Sequence, residues 1–340
     1  MKKILSILLI IVLASFALVG CGGGQQAGDQ QGATEQQSDT GAGEKEPLKV
    51  AMLLAGPISD QGWNATAYQG LVNIEKNLGA EISYTENVAQ SDFEEIFRGY
   101  ATQGFDIIFG HGFQFGDAAM KVAPEFPDVK FVITSTDISQ APNVASLNND
   151  NKQQGFLAGA LAALLTEVDK VGVVGGMEIP SIQAYMTGFE KGVKYINPDI
   201  TILSTYTGDF SDAAKAKEVT AAMIQKGADI IAHDADSAGL GVIEACVEGK
   251  TRVIGAISDQ YELGPDYMVT SALSDLTKAI EVMAEQIQNG QFEAKMYNYG
   301  IAEGTVGLAP YHNYEDKVPQ EVKDKIQQIM DDIASGKIEL

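Results

Sequence analysis

From Leu48 onward, short apolar runs alternate with helical patterns, and the alternation passes along the chain twice. In the first pass, Leu48–Leu54, Ala80–Thr85, Asp106–Gly110, Lys130–Thr134 and Val144–Leu147 read as strands, with helical patterns such as Ala65–Leu78 and Phe93–Gln103 between them. The second pass supplies strands at Val171–Val174, Thr201–Thr205, Asp229–Ala232 and Arg252–Ile257, with helices at Ser181–Tyr195, Ala213–Gln225 and Ala238–Val247. Continuous apolar strands separated by helices indicate parallel sheets covered on both faces. The pattern therefore predicts an α/β chain made of two similar units, and the roughly 290 residues that follow residue 47 are ample for two domains. Open parallel sheets bind ligands beyond the carboxyl ends of their strands. Two such sheets facing one another make a cleft, which a hinge can close. Functional residues are thus expected just after strands. Gln320–Ala334 reads as a further helix, packed against one unit.

The N-terminus is of a different kind. Met1-Lys2-Lys3 precedes an apolar run from Ile4 to Val19, the pattern of an export signal and shorter than a comfortable membrane span of about 20 apolar residues. Leu18-Val19-Gly20-Cys21 closes it and resembles a bacterial lipobox, in which the Cys21 thiol is lipidated and becomes the first mature residue. Gly22 to Pro47 contains no large apolar side chain and reads as a disordered leash. The expectation is a chain lipid-anchored to the outer face of the bacterial cytoplasmic membrane. Cleavage before Cys21 removes Lys2 and Lys3 and no acid, taking the formal charge from −23 to −25. Such a surface argues against a nucleic acid polymer or an anionic lipid surface as ligand. Cys246, in a predicted helix, has no second cysteine to pair with once Cys21 is lipidated, and reads as a buried thiol.

Enzyme signatures are missing. The three histidines, His111, His233 and His312, lack metal-ligand spacing, no serine stands in a GxSxG elbow, and no phosphate loop ends in Gly-Lys-Ser/Thr. Gly239-Leu240-Gly241 lacks the third glycine of a dinucleotide fingerprint, at Glu244, and is better accounted for by helix packing. The reading is a binding protein without metal or cofactor.

The turn after the first strand is Gly56-Pro57-Ile58-Ser59-Asp60-Gln61-Gly62-Trp63-Asn64. Asp60, Trp63 and Asn64 match the spacing of an Asp, an aromatic and an Asn in the basic membrane protein family of ABC-transporter receptors, which includes purine nucleoside receptors. The family's aromatic is usually Phe; here it is the chain's one Trp. The resemblance extends over nearly the whole mature chain, through Ala123–Phe131, Gly155–Gly159 (similar to the family's helix start), Lys170–Gly176, Gly188–Gly192, Thr207–Asp212, Ser258-Asp259-Gln260 and Thr270-Ser271. It implies a two-lobed fold of the periplasmic-binding-protein type I class, each lobe a parallel sheet flanked by helices, with the ligand in the inter-lobe cleft. On that fold the first lobe spans 48–150 with a return segment at about 272–296, and the second spans 151–271 with a C-terminal segment at about 297–340. The implied partners are a small-molecule ligand, a purine nucleoside or nucleobase, and the permease subunits of an importer; the chain itself is expected to be a monomer.

A purine has two apolar faces and a polar edge. Trp63 and Phe210, one from each lobe, are the natural pair to sandwich the faces, although an aromatic is more often a core residue. Asn64 and Asp60 can address the edge or a ribose, or cap the helix that starts there. His111, Phe113 and Gln114 follow the third strand, where the family has a turn lining the cleft. Asp234 and Asp236 follow a second-lobe strand, as ligand acceptors or as caps of the helix at Ala238. Asp259 matches an acid that helps hold ribose in the family. The lysine that the family's nucleoside binders carry after the Thr-Ser pair is replaced here by Ser274, and the Asp before Asp-Gln by Ile257. Two sugar-directed groups are thus absent, which leaves base and nucleoside both open. A receptor for another small planar ligand or a sugar, and a ligand sensor without transport, are the alternatives.

Overall fold

The computed structural model describes residues 47–59 and 63–340. The leader, Cys21, the leash and Asp60 lie outside the described residues. The first half runs β1 (Lys49–Leu54), α1 (Trp63–Leu78), β2 (Glu81–Thr85), α2 (Phe93–Thr102), β3 (Ile107–His111), α3 (Gly116–Val122), β4 (Lys130–Thr134) and β5 (Val144–Asn149). It continues through α4 (Asn151–Leu165), β6 (Lys170–Gly175), α5 (Pro180–Ile196), β7 (Thr201–Tyr206), α6 (Ala213–Gln225), β8 (Ile230–Asp234), α7 (Gly239–Glu248) and β9 (Arg252–Ile257). The chain ends with β10 (Met268–Ser274), α8 (Leu276–Gln288), β11 (Met296–Tyr299), β12 (Val306–Leu308) and α9 (Gln320–Ala334).

Two six-stranded sheets result, in the orders β11-β5-β4-β3-β1-β2 and β12-β10-β9-β8-β6-β7. Every pairing is parallel except that of β12 with β10. Side chains alternate across a strand, so a strand covered on both faces must be apolar throughout. β1 shows this directly. Val50, Met52 and Leu54 enter one core cluster, Ala51 and Leu53 the other, and all five are fully buried. In the second sheet, Ile230 and Ala232 face the α4–α5 layer, while Ile231 faces the layer of α6 and α7.

The α4–α5 layer is built on glycine. A Cβ on Gly155 or Gly159 of α4 would lie 2.0 and 2.1 Å from the carbonyl oxygens of Tyr185 and Phe189. One on Gly188 or Gly192 of α5 would lie 2.1 and 2.2 Å from those of Lys152 and Phe156. The helices therefore cross backbone to backbone. The Gly155–Gly159 run lies inside α4 rather than at its start; Asp150 caps the helix, accepting from the Lys152 and Gln153 amides at 3.0 Å each.

The chain passes between the sheets at β5–α4, at β10–α8 and at β11–β12. α8 thus returns to the first sheet, where Leu276, Ala279, Ile280 and Met283 join the β1 core, while α9 packs on the second through Val322, Ile326, Ile329 and Ile333. The crossovers are tied together. Asn149 Nδ2 donates to Ser274 Oγ at 3.0 Å, the Asp150 amide to Tyr299 O at 2.7 Å, and the Asp275 amide to Thr305 O at 2.7 Å.

Candidate functional site

Both sheets carry the strand order in which the connection direction reverses beside the first strand of the unit, between β1 and β3 and between β6 and β8. Ligands of such sheets sit outside the strand ends at that point. Among the described sequence-predicted residues, Trp63 and Asn64 follow β1, His111, Phe113 and Gln114 end or follow β3, and Asp234 and Asp236 end or follow β8, while Phe210 follows β7 and Asp259 follows β9.

In the first lobe, Trp63 opens α1 and is 48% exposed. Its indole stacks on the His111 ring, centroids 4.2 Å apart at 28°. His111 is the last residue of β3 rather than a loop residue, and it is fully buried. Its Nε2 lies 3.1 Å from the Trp63 carbonyl oxygen, which can only accept, so Nε2 carries the proton. Its Nδ1 is 3.0 Å from Thr134 Oγ1, and that hydroxyl accepts from the Gly112 amide at 2.9 Å. The Thr134 hydroxyl therefore donates to Nδ1. Amide, hydroxyl and imidazole form one relay that ends on the Trp63 backbone and fixes the indole's position.

Asn64 folds back over Gly56, whose amide donates to Asn64 Oδ1 at 3.4 Å. A Cβ on Gly56 would fall 2.7 Å from Asn64 Nδ2 and would push that side-chain amide aside. Gln114 lies over Gly112, whose φ of +120° suits glycine and where a Cβ would meet Gln114 Oε1 at 2.5 Å. Phe113 stands 72% exposed, while its neighbour Phe115 is buried against Phe93 and Phe97.

In the second lobe, Phe210 is half-buried against the α4–α5 core and lies on Gly176, where a Cβ would come within 2.4 Å of the ring. Gly176 links it to Asp234, since the Gly176 amide donates to the Asp234 carbonyl at 2.9 Å. Asp234 ends β8, is 2% exposed, and has a carboxyl oxygen, Oδ2, with no hydrogen-bond partner. Burial, reinforced by the nearby Asp236 charge, pushes its carboxyl up to about 7. Asp236 is exposed and held at φ +49°. Neither acid caps the following helix, because α7 starts at Gly239 without a side-chain cap.

Asp259 is placed differently. Ile257, a β-branched residue at φ +70°, turns the chain back on itself. Gln260 N then bonds Ser271 Oγ at 3.0 Å, and Asp259 Oδ2 pairs with His312 Nε2 at 2.7 Å while its Oδ1 accepts from the Tyr261 amide. The structure thus groups Trp63, Asn64, His111 and Gln114 in the first lobe and Phe210, Asp234 and Asp236 in the second. It engages Asp259 with the C-terminal segment. Ser274 is committed to Asn149 at the crossovers.

Two groups escaped the sequence reading. Thr134, which orients His111, was visible as the carboxyl end of a predicted strand. Tyr185, fully buried in α5 with its hydroxyl unpartnered and within the field of Asp234, left no such signal. A recess of about 430 Å³ lined by Leu165, Val168, Asp229, Arg252, Tyr314 and Lys317 opens at the amino ends of β8 and β9, away from these residues. Cys246 is buried in α7, and burial pushes its thiol up to about 12, which suits a structural thiol. Among the described residues, no His, Cys, Asp and Glu cluster is placed to hold a metal ion, and no helix is long and apolar enough to cross a membrane.

Residues 48–339 match the family model of the PnrA-like ABC transporter substrate-binding proteins (Bmp). The chain is 30% identical to the ABC transporter nucleoside-binding protein BmpA of Lactococcus lactis subsp. cremoris, over 99% of each chain. It is also 30% identical to the transcriptional activator protein med of Bacillus subtilis, over 79% of this chain and 84% of that one. Among solved structures, an ABC transporter solute-binding protein from Conexibacter woesei superposes with a TM-score of 0.69 at 30% identity, covering 86% of this chain and 98% of its own. Its type I periplasmic-binding fold is the one described above, two parallel-dominated sheets flanked by helices. The chain belongs to the Bmp family of PnrA-like ABC transporter substrate-binding proteins.

Proposed function

We propose that this substrate-binding protein captures a purine base or nucleoside between its two lobes, closes on it about the crossovers, and presents it to the permease of an ABC importer. The observation that carries this reading is the Trp63 platform. One face of the indole rests on a His111 ring locked by Thr134, yet the side chain is 48% exposed. A ring held that firmly and left that open offers a flat apolar face to a flat ligand. Base–aromatic stacking is worth about 1–3 kcal/mol per base. Phe210, seated on Gly176, supplies the second ring. The relative named as a nucleoside-binding protein supports the same ligand class.

On this reading contacts from both lobes favour the closed state by their differential affinity. Cys21 carries the lipid that keeps the receptor, as a monomer, near its permease on the outer face of the cytoplasmic membrane. Calorimetric titration of ligand-stripped protein with adenine, guanine, hypoxanthine, xanthine, adenosine, guanosine and inosine tests the ligand class, and silence with all seven overturns it. The relative named as a transcriptional activator favours a second reading, a ligand sensor without transport. Permease and ATPase genes beside this one decide for import, and their absence decides for sensing.

A further inference from the structure

Stacking explains Trp63 and Phe210 but leaves a set of buried polar groups in the second lobe unexplained. Asp234 Oδ2 and the Tyr185 hydroxyl are both buried and both without a hydrogen-bond partner. They belong to the same side of the sheet: Ala232, two residues before Asp234 on β8, shares a core cluster with Tyr185 of α5. They are close enough that the Asp234 charge raises the phenol's pKa further beyond its burial. A buried polar atom without a partner costs about 1–3 kcal/mol. Such atoms call for a partner, and Gly176, which bonds the Asp234 carbonyl and carries the Phe210 ring, joins them to the stacking site.

The chemistry of the Asp234–Tyr185 pair is specific. An ionised carboxylate presents two acceptors side by side, the pattern that pairs with two neighbouring N–H groups. The phenol presents a donor. Acceptor, acceptor and donor together complement an edge that reads donor, donor, acceptor. Among purines, that is the edge of a 2-amino-6-oxopurine: exocyclic amino group, ring N–H and carbonyl. A 6-aminopurine offers an amino donor beside a ring acceptor, which would face one carboxylate oxygen without a proton. Asp236, also acidic and exposed on the same loop, disfavours an anionic ligand edge.

We propose that Asp234 and Tyr185 read the 2-amino-6-oxo edge and make the receptor selective for guanine-type ligands. This assignment rests on the purine reading above. The titratable groups that face the Asp234 carboxyl are Tyr185 from α5 and Asp236 from its own loop. Below pH 7 the carboxyl keeps its proton, presents one donor and one acceptor, and the preference narrows.

The test compares guanosine, inosine and adenosine by calorimetry at pH 8 on the full-length chain, on Asp234→Asn and on Tyr185→Phe. Guanosine and inosine differ only in the 2-amino group. A hydrogen bond to a charged acceptor makes guanosine bind about tenfold or more tightly than inosine. Asp234→Asn abolishes that ratio and improves adenosine relative to guanosine, because the amide offers an acceptor beside a donor. Tyr185→Phe weakens guanosine and inosine alike and preserves their ratio. Equal binding of guanosine and inosine by the unaltered chain overturns the assignment, as does a ratio unchanged in a folded Asp234→Asn variant. Silence with every purine overturns the underlying purine reading instead, so the two failures are distinct.

Discussion

Asn149 donates its side-chain amide to the Ser274 hydroxyl at 3.0 Å, joining two crossovers that are 125 residues apart in sequence. Asn149 Oδ1 is buried beside it without a partner, so the pair sits in a dry environment where one hydrogen bond counts. Asn149→Ala and Ser274→Ala are each expected to destabilise the chain by about 1 kcal/mol. The double variant should cost little more than either single one, since both remove the same bond. Urea denaturation of the four proteins measures the coupling. Strict additivity would show that the bond contributes nothing.

The α4–α5 crossing predicts a sharp contrast between glycines. Gly188→Ala would place a Cβ 2.1 Å from the Lys152 carbonyl oxygen, and two backbones cannot separate without disturbing the whole layer. The expected loss is about 3 kcal/mol or more, at the upper end of overpacking effects. At Gly99, inside α2, an added Cβ would meet nothing within 4 Å, and Gly99→Ala should stabilise by roughly 0.5–1 kcal/mol through helix propensity alone. Thermal melts of both variants check the pair, and equal shifts in one direction contradict it.

Asp234 makes stability depend on pH in an unusual direction. Its carboxyl is pushed from an ordinary 3.8 to about 7, so between those values the folded chain holds a proton that the unfolded chain has lost. Stability from this group is therefore complete in acid and falls as pH rises through the window. Above pH 7 the deficit is on the order of 4 kcal/mol. His233, on the opposite face of β8, works the other way: burial pushes its imidazole from 6.5 down to about 4, and stability is lost as pH falls between those values. Comparing Asp234→Asn with the unaltered chain cancels the histidine. The variant should be the more stable by a few kcal/mol at pH 8 and indistinguishable at pH 4. A constant difference at both pH values excludes the titration of Asp234 as its cause.

The central strands were legible because they are apolar on both faces, as β1 is at Val50 through Leu54, whereas β10, β11 and β12 were not read as strands. Trp63 was legible because an indole between Gly62 and Asn64 at a strand-to-helix turn has no core to enter. The returning elements were harder. α8 and β11 rejoin the first sheet after β10, and nothing local in Leu276–Gln288 says which core its apolar stripe will meet. His111 was expected at the ligand, but periodicity cannot show that both its nitrogens are already engaged, by Trp63 and Thr134. Tyr185 was invisible for the same reason: Asp234, whose charge it feels, stands 49 residues away in sequence, on β8. Ser274 was noticed as a missing lysine, whereas its observed hydrogen bond to Asn149 is a property of the assembled crossovers.

The relay through His111 finally predicts how the Trp63 platform responds to damage. Trp63→Ala removes the stacking face itself and should weaken purine binding by about tenfold or more. His111→Ala leaves the indole in place but removes its backing ring, the bond to the Trp63 carbonyl and the link to Thr134. The indole then gains freedom that must be lost again on binding, so affinity should fall by a smaller factor. Thr134→Val, which keeps the shape but not the hydroxyl, should fall between His111→Ala and the unaltered chain. Trp63 is the single tryptophan, so its fluorescence reports both the platform and the ligand without a label. Broader emission from the free His111→Ala protein, with quenching restored by saturating purine, is the expected signature. Unchanged emission in that variant would show that the relay does not hold the ring.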